Sequence, residues 1–208
     1  MMSSTIRAIL FLVISLYLVV SKCNGEGYKP APNCAKNECP SYTVVHTQKE
    51  FEIRSYNDAQ WLSSPKIPSI SYKPAASKGF LMLLSYIRGE NLENVKMNMT
   101  SPVLVGVQDS AYTVYFYLPE NYQNKAPKPV MDEIKAVKLP EHKYAAVRRF
   151  DGLINDTTIS THVDALKKSL QSTPYQRAAA GCAGFTVAAY NAPFDLINRV
   201  NEIIVWFD

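Results

Sequence analysis

Tyr112-Thr113-Val114-Tyr115-Phe116-Tyr117-Leu118 is the stretch on which the fold turns. β-Branched and aromatic residues favour an extended chain. As a strand it presents Tyr112, Val114, Phe116 and Leu118 on one face, and Tyr115 and Tyr117 on the other. Both faces are apolar or aromatic, whereas an antiparallel sheet with one wet face alternates apolar with polar. Glu202–Phe207 repeats the pattern, with Ile203, Val205 and Phe207 opposing Ile204 and Trp206. Strands that need cover on both sides predict a barrel interior behind them and a helix or a ligand in front.

Working outward, Tyr42–Thr47 and Phe51–Tyr56 read as two short strands around Gln48-Lys49-Glu50. In the second, Phe51, Ile53 and Ser55 share one face, and Glu52, Arg54 and Tyr56 the other. A polar, Pro-punctuated stretch runs from Ser63 to Pro74. Ser77–Ile87 reads as a helix closed by Arg88-Gly89. Its stripe Phe80, Leu83/Leu84, Ile87 suffices to dock on a sheet; Leu81 and Met82 are left over, to be covered by neighbouring chain or to line an apolar groove. Lys96–Val105 and Tyr112–Leu118 complete a strand, strand, helix, strand, strand order. The second half repeats it: strands Ile134–Leu139 and Tyr144–Phe150, a helix Thr158–Ser172 capped by Asp156, Thr157 or Thr158, then strands Phe185–Tyr190 and Glu202–Phe207. The expected fold is therefore α+β: two ββαββ pseudo-repeats joined near Lys125–Val130, giving eight antiparallel strands and two helices.

Of the 208 residues, 47% are hydrophobic and 19% charged, an ordinary globular composition. The formal charge of +4 is too small and too dispersed to predict a nucleic-acid partner. Arg7 and the apolar run Ile9–Val20, shorter than a membrane span, read as a secretory signal peptide over residues 1–25, cleaved after Gly25 or, as the rival, after Cys23. Its removal takes away Arg7 and Lys22 and no acid, leaving 183 residues with a formal charge of +2. Residues 26–41 read as an extended lead-in, and 42–208 as the folded domain. The expected product is a secreted protein, or one of the secretory lumen, with no stable membrane span. Three cysteines then remain. The local pair Cys34–Cys39 is expected, with Cys39–Cys182 as the alternative. Two Asn-x-Thr sequons occur. Asn155, in a polar turn, is expected to carry glycan; Asn98, inside a predicted strand, is expected to stay bare. No Cys or His spacing suits a structural metal site.

Catalytic motifs are missing: there is no Gly-x-Ser-x-Gly, phosphate-cradling Gly-x-x-x-x-Gly-Lys or His-Glu-x-x-His. Gly181-Cys182-Ala183-Gly184 precedes a strand, with no helix behind Cys182 to lower its thiol pKa. None of these motifs points to an enzyme.

Phe51-Glu52-Ile53-Arg54-Ser55-Tyr56 with Trp61, Gly79-Phe80 through Ser85-Tyr86-Ile87-Arg88-Gly89-Glu90-Asn91, and Lys96-Met97-Asn98-Met99-Thr100-Ser101-Pro102-Val103 together resemble the SOUL haem-binding protein family. So do Phe150-Asp151-Gly152, Ala189–Pro193 and Asn198–Ile203. The resemblance covers about Tyr42 to Asp208. It implies a distorted eight-stranded barrel with two helices, and non-covalent binding of haem or another porphyrin as carrier or buffer, without catalysis. An interaction module on the same barrel that has lost its ligand is the alternative, and a small-ester hydrolase a third. The family's groove, carried onto this chain, points at Phe80, Leu84 and the neighbourhood of Phe194–Arg199. Lys78, Arg54, Arg88 and Arg199 are then the cations available for propionates. This chain departs from some relatives at Ser55, where they place a His proposed to ligate iron, and at Ser77 and Asp195, where they carry basic residues. His46, His142, His162, the Cys39-Pro40 pair and the Met97/Met99 pair are the remaining sequence candidates for contact with a tetrapyrrole.

Overall fold

The structure is a computed structural model that describes residues 27–180, 184–192, 194–195 and 197–208. The predicted signal peptide and Cys182 lie outside the described residues. Ten strands form one antiparallel sheet: β1 (Tyr42–Thr47), β2 (Glu52–Tyr56), β3 (Ala59–Ser63), β4 (Ile67–Pro68), β5 (Val103–Gln108), β6 (Ala111–Tyr117), β7 (Lys135–Leu139), β8 (Tyr144–Phe150), β9 (Gly184–Ala189) and β10 (Asn201–Phe207). The helices are α1 (Tyr72–Ile87), α2 (Asp156–Leu170) and the short α3 (Gln176–Ala180). The strand order is β1-β2-β8-β10-β9-β5-β6-β3-β7, with β4 on β6.

The α+β class and the antiparallel curl are as expected, but the sheet is an open half-barrel: its pairing runs from β1 to β7 without joining them. From β2 to β7 the order is palindromic when β2, β3, β5 and β6 are exchanged for β7, β8, β9 and β10. The palindrome concerns pairing order alone. It makes β2 and β3, not the expected β1 and β2, the counterparts of β7 and β8. β3 fell in a stretch whose sequence (Ala59–Ser63) is too short and mixed to show a period, and its place comes from pairing with both β6 and β7.

Three further boundaries moved. α1 begins at Tyr72, not Ser77, because Pro74 sits in the first turn, where the backbone N–H groups have no intrahelical partner to lose. Asp156, the first residue of α2, reaches across to accept from Tyr72 N at 2.7 Å. Conversely, Lys96–Ser101 is not strand. Pro102 has no N–H to give a ladder, and β5 starts after it. The preceding chain is pinned instead by Met97 N to Ile87 O (2.8 Å) and Thr100 Oγ1 to Tyr117 O (2.6 Å). Asn98 therefore lies exposed in a loop, and the reason for expecting it bare does not hold. α2 is capped by Asn155, one residue before the expected caps, whose Oδ1 accepts from Thr158 N at 2.9 Å.

Each sheet face buries an apolar cluster. On the convex face α1 and α2 bury Leu83, Tyr86, Ile159, Val163 and Leu166 against Ile53, Val114, Phe116, Val187 and Ile203. Gly79 allows α1 this approach, since a Cβ there would stand 2.5 Å from Val114 Cγ2. On the concave face Trp61, Leu104, Ala145, Val147, Ala188, Tyr190 and Ile204 form a second cluster. The lead-in packs Ala31, Cys34 and Cys39 into it. Cys34 and Cys39 form the expected local disulfide.

Candidate functional site

The sequence pointed to α1. Its buried stripe is Tyr72, Ala75, Gly79, Leu83, Tyr86 and Ile87. Phe80 and Leu84 stand at the margin, half-buried, with Phe80 edge-on to Phe116 at 5.3 Å between ring centres. Met97 and Met99 pack half-buried on the same core from the following loop. Lys78, Leu81, Ser85 and Arg88, at i, i+3, i+7 and i+10, form one outward stripe. Leu81 in it is 61% exposed, so neighbouring chain does not cover it, whereas Met82 is half-buried. Lys78 and Arg88 are exposed at either end of the stripe.

Near the start of α1 lies a loop whose described residues are 191–192, 194–195 and 197–200. Its Arg199 is close enough for its charge to oppose the upward push that burial gives the Tyr72 phenol. Phe194 and Ile197 of this loop are 82% and 79% exposed, and Ile70, just before α1, is fully exposed. Arg199 is not a surface cation. It is buried, and its Nη1 donates to Ala192 O (3.0 Å) and Asp195 O (2.6 Å). Its Nε has no hydrogen-bond partner among the described residues. The outward side of α1 thus carries an exposed apolar side chain, Leu81, between two exposed cations, Lys78 and Arg88. Phe80 and Leu84 line none of the cavities beside Trp206, Trp61 and Ile159: the feature is a shallow apolar rim.

Arg54 is elsewhere. It is fully buried on the concave face of β2, which is the wrong side of the sheet for α1. Its Nε donates to Glu52 at 2.7 Å, and its Nη1 and Nη2 grip Glu202 through two bonds of 3.0 Å. Arg149 donates to the same Glu202 at 2.8 Å, and the Tyr190 hydroxyl does so at 3.0 Å. Burial works against the Glu202 carboxylate, yet the Arg54 and Arg149 charges and hydrogen bonds outweigh it and hold its pKa below the usual range. The lead-in closes this end: Tyr28 N donates to Glu52, Arg149 to Lys29 O, and the Arg54 guanidinium lies 4.2 Å from the Tyr42 ring centre. Sequence reasoning singled out Arg54 but missed Glu52, Arg149, Tyr190 and Glu202. A usable signal was present, for Glu52, Arg54 and Tyr56 form a charged face on a strand whose neighbours demand burial on both sides, and buried charges come paired.

The histidines are scattered. A bulge in β1 between Val44 and His46 turns His46 away from the expected Tyr42/Val44 face, toward Phe51 and Tyr175. His142 bonds Asp208 Oδ2 at 3.0 Å in the β7–β8 turn. His162 stacks on Phe150 at 4.2 Å, where burial and Arg148 lower its pKa. None lies on α1 or among the described residues of the 191–200 loop. Among the described residues no group of three or more His, Cys, Asp or Glu is placed to hold a metal ion, and no helix is long and apolar enough to cross a membrane.

The profile of the SOUL heme-binding protein family matches residues 37–206. This chain belongs to the SOUL heme-binding protein family. Within that family it is 29% identical over 164 residues to human "Heme-binding protein 2", covering 74% of this chain and 76% of the relative. It is 27% identical over 165 residues to Xenopus laevis "Heme-binding protein 1", covering 76% and 82%. Both SOUL relatives are named for binding, not catalysis. A solved Listeria innocua structure titled as a hydrolase covers 76% of this chain and 91% of its own, with a TM-score of 0.49 and 10% identity, too distant to carry a functional argument.

Proposed function

We propose that this SOUL protein binds haem or another tetrapyrrole non-covalently, without catalysis, as a carrier or buffer in the secretory pathway. The family match over almost the whole folded chain carries the proposal. The rim around α1 fits it chemically: a porphyrin is an apolar disc with two carboxylates, which want apolar contact and cations at one edge. Phe80, Leu81 and Leu84 supply the first; Lys78 and Arg88, exposed at either end of the outward stripe, are the candidate donors for the second. With no histidine on that surface, the ring and its propionates, not the iron, dominate recognition.

Hemin and protoporphyrin IX titrated into the processed protein, followed by Soret absorbance and Tyr/Trp quenching, test this. One saturable site is expected, with the two affinities within about threefold, and Phe80→Ala should weaken both by about tenfold. Binding no tighter than to a lysozyme control overturns the proposal. The secretory part is tested by expressing the full chain in a eukaryotic host. Protein in the medium, an N-terminus at Glu26, and a mass shift on deglycosylation that Asn155→Gln removes are the expected results.

A further inference from the structure

A cavity of about 370 Å³ opens on the concave face, away from α1, at the end of the sheet where Gln108 pairs with Gly184 and Ile67 with Tyr112. That volume lies within the range of small-molecule sites. Leu104, Tyr115, Leu139 and Trp206 give it an apolar, aromatic floor, and Thr113 and Thr186 put hydroxyls on the wall. The room exists because of Gly106. Alternation points it inward with Leu104, and even a Cβ there would come within 3.3 Å of Tyr115 Cε2. The Trp206 ring is held in place by its Nε1–H, which donates to Thr186 Oγ1 at 3.0 Å and leaves that hydroxyl's own hydrogen for another acceptor. At the rim stand Lys66 and Glu141, one charge of each sign, both exposed and neither ion-paired to a described residue. Opposite rim charges give no net pull on an ion, so ring contact and hydrogen bonds decide what enters.

The geometry points to a second ligand site here, for a neutral planar aromatic molecule of one or two rings bearing a hydroxyl. Its rings lie against Trp206 and Tyr115, and its oxygen accepts from Thr186. The site shares no residue with the α1 rim and stands or falls separately from the tetrapyrrole reading.

The probe is 2-naphthol, titrated into the ¹⁵N-labelled processed protein and followed by calorimetry and by the Trp206 indole N–H resonance, assigned with Trp61→Phe. One saturable site that shifts the Trp206 resonance is expected. Decahydro-2-naphthol, the saturated skeleton, should bind at least about threefold more weakly. Gly106→Leu should weaken naphthol by at least about tenfold, Thr186→Val by about threefold to tenfold, and Phe80→Ala should change nothing. An unmoved Trp206 resonance, a Thr186→Val or folded Gly106→Leu protein that binds like the parent, or loss of naphthol binding in Phe80→Ala overturns the inference. The last result would assign the naphthol to the α1 rim; failure of porphyrin binding leaves this test untouched.

Discussion

The two ends of the concave face are built from the same strands and hold opposite chemistry. At one end Glu52, Arg54, Arg149, Tyr190 and Glu202 are locked together under the lead-in, with Glu52, Arg54 and Glu202 wholly out of water. At the other, Leu104, Tyr115 and Trp206 line an open cavity with unpaired charges only at its rim. β10 contributes Glu202 to the first end and Trp206 to the second, four residues apart on one strand face. A buried charge demands a partner, because desolvation without one costs several kcal/mol; apolar walls and rim charges make no such demand and can stay open. Charge placement along a strand thus settles which end is filled by the protein itself and which is left for something else.

The comparison is broken most forcefully at the closed end. Arg54→Met leaves Glu52 and Glu202 buried with Arg149 alone, and should cost about 3–5 kcal/mol in urea unfolding. Arg54→Met combined with Glu202→Leu should recover part of that loss, since two apolar chains need no counter-charge. Acid sharpens the same point. The pKa of Glu202 is lower folded than unfolded, so its contribution is complete above the unfolded value of about 4.3 and lost as pH falls through the folded one. The parent protein should therefore lose more stability than Arg54→Met between about pH 5 and pH 2, measured by denaturant midpoints across that range.

Smaller effects follow. Opening the Cys34–Cys39 bridge with paired serines loosens the lead-in over the closed end and should cost about 2 kcal/mol by the same assay. Tyr190→Phe removes one donor from Glu202, about 1–2 kcal/mol. At the open end Thr186→Val should cost less, about 0.5–1 kcal/mol, because water in the cavity can accept from the Trp206 indole. Lys66→Gln, exposed and without an ion pair, should lie within about 0.5 kcal/mol of the parent. Equal losses at the two ends would dissolve the contrast.

Much of the fold was legible because period and punctuation are local signals. β6, β8 and β10 follow from alternation and length, and Gly89 at φ +110° ends α1 where its lack of a Cβ predicts. The short strands β3 and β4 were not legible, since five and two residues cannot show a period and their pairing partners lie far along the chain. Lys78, Phe80 and Leu84 on α1, and Arg88 at its end, were legible from helical spacing. Arg54 and Arg199 were not: as cations they read as surface residues, and their burial depends on carboxylates or carbonyls that only the folded chain supplies.

By itself the sequence determined that both sheet faces bury apolar residues, that a helix lies on one of them, and that the chain carries the SOUL motifs, because each of these is written in residue type at a fixed step. The tertiary structure alone decided that the barrel stays open between β1 and β7, that Arg54 faces inward to Glu202, 148 positions away, and that Gly106 leaves an inner cavity. The reason is physical. Burial, ion pairing and empty volume are properties of residues brought together from distant parts of the chain, and no local period encodes them.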